Sequence, residues 1–362
     1  MKRRLRVTYG TSWARPCGVA DYSAHLTPEL RRHCNLDVLP YPRPRAATME
    51  WTHFAEDLRD AEVVHLQHAY PFFGGMHPVE DRWPSLLQSL RAPTVVTIHE
   101  FDDQPRLGPA SGVPAAWYKR WFNRRAFCSR AISHRITHSS LIASQLRELG
   151  VPASSISVLP MPAPSVDPRS PSYEECRREL GLGGRPLLVM IGFLARRKGY
   201  DVALAALREL PAEYLLVAAG GEHPDDRTGT EAWLKAEARR MGLSERFRVT
   251  GYQSEEGLDR ICRAADLVLA PFESMSASAS LAFAQARARP IIGSNLPELI
   301  RLPGVEHFPV GDSGALARGI LRLMADEPRR HGLSEAGLAH ARESSYEGFA
   351  TAIAAIYERL AA

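Results

Sequence analysis

Short apolar runs alternate along the chain with longer stretches whose apolar residues return every three or four positions. Leu5–Tyr9, Val63–Gln67, Thr94–His99 and Arg135–His138 read as buried strands. Helical spacing begins near Val19, crosses Trp117–Ser133 and runs on through Leu149. Strands separated by helices form parallel sheets, and right-handed crossovers wind them into an open double layer. From Met161 to Tyr173 four prolines interrupt the rhythm, each fixing φ and removing a backbone donor. The pattern then restarts with strands at Leu187–Ile191, Tyr214–Ala219, Arg248–Thr250 and Leu267–Ala270. Helical stretches fall between them at Tyr200–Glu209, Glu231–Met241 and Leu258–Ala264. The fold expected is α/β, with two Rossmann-like, doubly wound parallel-sheet domains facing across a cleft. The first covers residues 1–165 and the second 166–340. A closing helix within 341–362 is expected to return to the first domain.

Composition adds bounds but names no chemistry. Of 362 residues 45% are hydrophobic and 24% charged, the balance of an ordinary globular protein. A formal charge of +4 is too small to indicate nucleic-acid binding unless its cations gather on one face. The cysteines at 17, 34, 128, 176 and 262 are odd in number and scattered, as in a reducing, cytosolic protein. Met1-Lys2-Arg3-Arg4 is followed by a strand-like segment and not by the long apolar run of a signal peptide. No stretch reaches the roughly 18 apolar residues of a spanning helix. One segment does gather cations. Residues 114–135 hold Lys119, Arg120, Arg124, Arg125, Arg130 and Arg135 without an acid, interleaved with Trp117, Tyr118, Trp121, Phe122 and Phe127. Such a stretch suits peripheral contact with anionic lipid at the inner face of a membrane, or equally a helix packed on the sheet with a solvated cationic face.

Ligands of open α/β sheets bind at the carboxyl ends of strands, so chemistry is sought on strand-to-helix turns. Leu187–Ile191 ends in Gly192, and Arg196-Arg197-Lys198-Gly199 leads into the next helix. Free N–H groups at a helix start, with three cations, make an anion site suited to a diphosphate. Gly18 likewise follows a strand and opens a helix, where a residue without a side chain lets backbone approach a phosphate or sugar. His99 ends the strand Thr94–Ile98, where an imidazole can bond a sugar hydroxyl or help move a proton near neutral pH. Ser278, Ala279 and Ser280 open another helix and offer N–H groups to a phosphate. His65 and His68 invite a metal reading. Period two puts His65 with Gln67 on one face and His68 on the other, with no third ligand in reach, so no metal site is expected.

These segments together resemble the family-4 retaining glycosyltransferases, which have the two-domain fold known as GT-B. The resemblance runs end to end. It rests on Cys17-Gly18-Val19-Ala20-Asp21-Tyr22-Ser23, Thr97-Ile98-His99-Glu100, Val158-Leu159-Pro160, the Gly192–Gly199 turn, Ala219-Gly220-Gly221 and Pro290-Ile291-Ile292-Gly293-Ser294-Asn295. It implies transfer of a hexosyl group from a nucleoside-diphosphate sugar to an acceptor hydroxyl, with retention at the anomeric carbon. By the same resemblance Lys198 grips the pyrophosphate, Gly18 lies against the donor and His99 contacts the donor sugar.

Two departures stand out. An arginine usually follows the first glycine of the turn; here it is Phe193, which leaves Arg196 or Arg197 to supply the second charge. The family's two glutamates fall at Met275 and Phe283, and Glu273, the nearest carboxylate to the donor sugar, lies two residues early. No D-x-D triplet lies near a strand end, so transfer without a metal or other cofactor is expected. The missing glutamates keep two alternatives in view: a silent paralogue that binds or activates a partner, and a sugar-nucleotide epimerase of the same fold.

Overall fold

The computed structural model describes residues 3–43, 46–76, 80–101, 115–223 and 229–362. In chain order the first elements are β1 (Arg6–Thr11), α1 (Gly18–Leu30), β2 (Asn35–Pro40), α2 (Thr48–Asp57), β3 (Val63–His68), α3 (Trp83–Ser89), β4 (Thr94–Ile98), α4 (Ala115–Phe127), β5 (His134–Thr137), α5 (Ser140–Glu148) and β6 (Ile156–Val158). Then follow α6 (Tyr173–Glu179), β7 (Leu187–Ile191), α7 (Tyr200–Glu209), β8 (Leu215–Ala219), α8 (Thr230–Arg240), β9 (Phe247–Val249), α9 (Glu255–Arg263), β10 (Leu267–Ala270), α10 (Ala279–Ala286), β11 (Ile291–Ser294), α11 (Pro297–Ile300) and β12 (Val305–Phe308). Three helices close the chain: α12 (Ser313–Ala325), α13 (Glu327–Glu343) and α14 (Tyr346–Ala361).

The chain divides into two compact units. One takes residues to Met161 together with Tyr346–Ala362, and the other takes Pro162–Ser345. Their limits lie a few residues before 165 and after 340, because the proline-rich link opens the second unit and α13 completes it.

In the first unit six parallel strands are ordered β2-β1-β3-β4-β5-β6. One face is covered by α1 and α14, which bring Tyr22, Leu26, Phe349, Ile353 and Tyr357 onto Val7, Tyr9 and Val95. The other packs under α2 to α5 through Trp51, Phe54, Trp83, Phe122 and Phe127. The second unit repeats the plan with the order β12-β11-β10-β7-β8-β9, again all parallel. Strands buried on both faces need apolar residues at every position, which is why Leu187–Ile191 shows no alternation.

Each sheet reverses direction at one strand. After β1 the chain adds β2 on one side and β3 on the other; after β7 it adds β8 and β9 on one side and β10 on the other. At such a switch point the two crossovers leave in opposite directions and open a crevice at the strand's carboxyl end. The segments opening on Gly192 and ending on Gly18 are the ones that follow those two strands.

Candidate functional site

In the second unit the anion-site residues gather at the carboxyl end of β7. Gly192 has φ +97°, and a Cβ there would stand 2.8 Å from Lys198 Nζ and 3.9 Å from Ser280 Oγ. The space a side chain would fill is the space into which the lysine folds, so its ammonium donates to the Ile191 carbonyl at 2.9 Å. Gly199 closes the turn at φ +68°, where a Cβ would fall 1.9 Å from the Pro271 carbonyl oxygen; only glycine fits there. Burial pulls the Lys198 ammonium down to about 7, and the like charge of Arg197 adds to the effect.

The two arginines of the turn differ. Arg196 lies with its guanidinium 4.1 Å from the ring centre of Trp233 on α8. Arg197 is exposed, is close enough to act on Lys198, and accepts the Glu273 N–H at its carbonyl, 2.9 Å. That bond ties the segment after β10 to the lysine turn. Farther along it Ser278 caps α10, its hydroxyl 2.9 Å from Ser280 Oγ and accepting from Leu281 N at 3.4 Å. Ala279 and Ser280, as the first helical residues, have no intrahelical carbonyl for their N–H groups. Lys198, Gly192 and the start of α10 therefore lie together as one cationic, donor-rich cluster.

Glu273 is exposed, and Met275 packs on the core. Phe283 is buried with the Arg287 guanidinium 3.2 Å from its ring centre, and Arg287 is paired with Asp259 at 2.6 Å. At the position where the resemblance expects a glutamate, this chain has a core aromatic held by a buried ion pair. Sequence reasoning marked Phe193 only as a missing arginine. Its ring lies 4.9 Å from His223 and stacks at 6.2 Å on Tyr252, which is 54% exposed. The three follow β7, β8 and β9, and their shared place after successive strands was the available signal.

In the first unit Gly18 is exposed at the start of α1, and nothing among the described residues lies within 4 Å of where its Cβ would stand. No contact among the described residues demands glycine there. Ser12, in the segment that follows β1, keeps a buried hydroxyl without a hydrogen-bond partner among the described residues. His99 takes its place just past β4, its N–H donating to the His68 carbonyl at 3.0 Å. Its ring meets Tyr22 at 4.9 Å and His138 at 5.6 Å. Burial holds it well below the usual histidine range, with His138, His68 and His65 adding to the effect. That direction favours the neutral imidazole at pH 7, a form that can hydrogen-bond a substrate.

His65 and His68 are both buried, on opposite faces of β3 as their spacing required. His65 bonds Tyr357 and Thr97, while His68 is enclosed by Phe73, Trp83 and Phe127. The basic stretch is corrected in part. Lys119 and Arg135 are buried, and Arg135 donates to the carbonyls of Phe127, Ser129 and Ile132. Arg120, Arg124, Arg125 and Arg130 remain outside with Trp117 and Trp121; Pro114 lies outside the described residues.

Residues 11–163 match the family model described as Glycosyltransferase Family 4, and residues 185–326 the one described as Glycosyl transferases group 1. The chain is 31% identical over 190 residues to the D-inositol 3-phosphate glycosyltransferase of Segniliparus rotundus, covering 50% of this chain and 42% of that protein. To the Nocardia farcinica enzyme of the same description it is 27% identical over 282 residues, 74% of this chain and 59% of the other. The chain spans about half the length of the curated relatives it matches. Anabaena Alr3699/HepE in complex with UDP-glucose has a TM-score of 0.77 at 15% identity, covering 98% of this chain and 100% of that one. Sucrose-phosphate synthase from Thermosynechococcus elongatus gives 0.76 at 17% identity, covering 99% of each. These likenesses establish the two-domain α/β fold known as GT-B.

Proposed function

Because the chain belongs to the family-4 glycosyltransferases, we propose that it transfers a hexosyl group from a nucleoside-diphosphate sugar to an acceptor hydroxyl, with retention at the anomeric carbon. The observation that carries this reading is the Lys198 ammonium folded over Gly192 beside the start of α10. As the glycosidic bond breaks, negative charge grows on the departing diphosphate. Lys198, Arg197 and the N–H groups of Ala279 and Ser280 are the donors we assign to that charge, which they would offset without a metal. Arg196 supports the turn from its stack on Trp233. Phe193 and Tyr252 offer a flat apolar surface suited to the nucleobase. Gly18 and His99 are assigned to the donor, Gly18 by backbone approach and His99 through a sugar hydroxyl. Glu273 is assigned to another hydroxyl of that sugar.

A binding-only role is the second reading, favoured by Phe283 lying in the core. One experiment separates the two: thermal melting and hydrolysis with a panel of UDP-, GDP- and dTDP-sugars. A ligand at 100 times its Kd is expected to stabilise the protein by about 2.7 kcal/mol, with slow hydrolysis. Gly18→Ala should melt like the wild type without donor and bind it about tenfold more weakly, since only a ligand approaches that position. Stabilisation without turnover against any acceptor selects the binding role, and no stabilisation across the panel rejects both.

We further propose that α4 meets anionic lipid at the inner face of the membrane. Trp121, Arg124, Arg125 and Arg130 line an open groove of about 700 Å³ with no carboxylate among its described lining residues, Asp81 acts on Arg125 from nearby, and Trp117 is 60% exposed. The protein should co-sediment with vesicles containing phosphatidylglycerol and not with neutral ones. Arg124→Ala/Arg125→Ala should release it, and equal recovery with both vesicle types would refute the contact. Among the described residues no helix is long and apolar enough to cross a membrane.

A further inference from the structure

A run of buried polar side chains leads from His99 into the first unit. Gln67 lies on β3 and is fully buried. Its Oε1 is 2.7 Å from His99 Nε2, and its Nε2 is 3.1 Å from His65 Nε2. His65 in turn places Nδ1 2.5 Å from the Tyr357 hydroxyl on α14 and Nε2 2.8 Å from Thr97 Oγ1. The register explains the reach: Gln67 pairs with Thr97 on the neighbouring strand, two residues before His99.

A primary amide has one end that only accepts and one that only donates. An amide bridging two imidazole nitrogens therefore forces them into opposite states. The oxygen facing His99 requires the proton on His99 Nε2. The amide nitrogen facing His65 requires a lone pair on His65 Nε2, which puts that ring's proton on Nδ1, toward Tyr357. In that tautomer the Thr97 hydroxyl, 2.8 Å away, shares the one lone pair of His65 Nε2 with the Gln67 amide. His99 is left with an unprotonated Nδ1, and no protein group bonds it among the described residues.

We propose that Gln67 is a positioning residue that locks His99 in the Nε2–H form, so that His99 meets the donor sugar as a hydrogen-bond acceptor and selects a hydroxyl over a carboxylate. This rests on the assignment of His99 to the sugar. A sugar hydroxyl donates to the Nδ1 lone pair. A uronate oxygen carries only lone pairs and is repelled by it, and a neutral imidazole has no charge with which to compensate. Tyr22, His138, His65 and His68, the titratable groups around the ring among the described residues, supply no positive charge while burial keeps the histidines neutral.

The first test is made on the wild-type protein without ligand. Long-range ¹⁵N correlation spectra should give His99 as the Nε2–H tautomer and His65 as Nδ1–H. His99 in the Nδ1–H form, or both rings in the same form, overturns the proposal. Gln67→Glu, once ionised, offers two accepting oxygens, so His65 should switch to Nε2–H while His99 keeps its Nε2 proton; an unmoved His65 beside the ionised carboxylate also overturns it. The second test is selectivity. The wild type should use a neutral nucleoside-diphosphate hexose over the matching uronate by about 100-fold or more in kcat/KM. Gln67→Glu makes His99 more basic and should cut that ratio at least about tenfold. If donors bind and the wild type takes hexose and uronate equally, the proposal fails and the function stands. If no donor binds, the functional reading fails while the tautomer result keeps its meaning.

Discussion

Lys198→Ala is expected to lower kcat/KM for the nucleotide-sugar donor by about 100-fold or more and to weaken nucleoside-diphosphate binding, while leaving the protein as stable as before or more so. The first half follows from charge. A preorganised cation facing a leaving diphosphate is worth roughly 10²–10³ in rate, as a single oxyanion donor is elsewhere. The second half follows from the depressed ammonium pKa of about 7. An unfolded lysine titrates near 10.4, so the unfolded chain holds the extra proton between about pH 7 and that value. Stability then rises with pH across this window, and below pH 7 the folded state bears a poorly hydrated charge. Alanine removes that cost.

The same shift fixes the pH dependence of binding. A bound diphosphate favours the ammonium, so above pH 7 binding takes up a proton, and donor affinity should fall by up to tenfold per pH unit. Below pH 7 this dependence should flatten. Isothermal titration in buffers of differing ionisation enthalpy counts the protons, and in Lys198→Ala the uptake should vanish. Unchanged turnover and affinity in that variant would remove the central observation from the functional reading.

How far the sequence carried the reading depended on whether a feature was local. β7 was legible because five consecutive apolar residues ending in glycine leave few alternatives, and Lys198 was legible by its place between that strand and a helix. Its inward fold was not, since it depends on the empty Cβ position of Gly192, a fact of three dimensions. His65 and Gln67 were placed on one face by period two, but the bond from Gln67 to His99 crosses to another strand and needed the β3–β4 register. Phe283 shows the opposite limit. Its departure from the family pattern was visible in one dimension, yet only the Arg287–Asp259 pair packed against it explains what replaced the carboxylate. Arg135 was counted among surface cations because charge normally faces water. Four hydrogen bonds to backbone carbonyls hold it inside.

His99→Ala is the second variant with a large expected effect, and its value lies in how the loss divides. We assign diphosphate affinity to Lys198, Arg197 and the start of α10, all in the second unit, so the Kd for the nucleoside diphosphate alone should stay within about twofold. The bond to the sugar should be lost, and kcat should fall by about 10- to 100-fold, the range expected when an interaction that orients the reacting sugar is removed. Stability must be measured beside activity. The substitution leaves the Gln67 oxygen without its donor, at a cost of about 1–3 kcal/mol for a buried unsatisfied group. His99→Asn offers a check, since a side-chain amide can restore a donor toward Gln67 while changing what faces the sugar. If turnover and nucleotide affinity fall together in both variants and track the loss of stability, His99 belongs to the packing of the first unit. If turnover falls while nucleotide affinity holds, the imidazole acts on the sugar, and the buried chain through Gln67 and His65 to Tyr357 is what aims it.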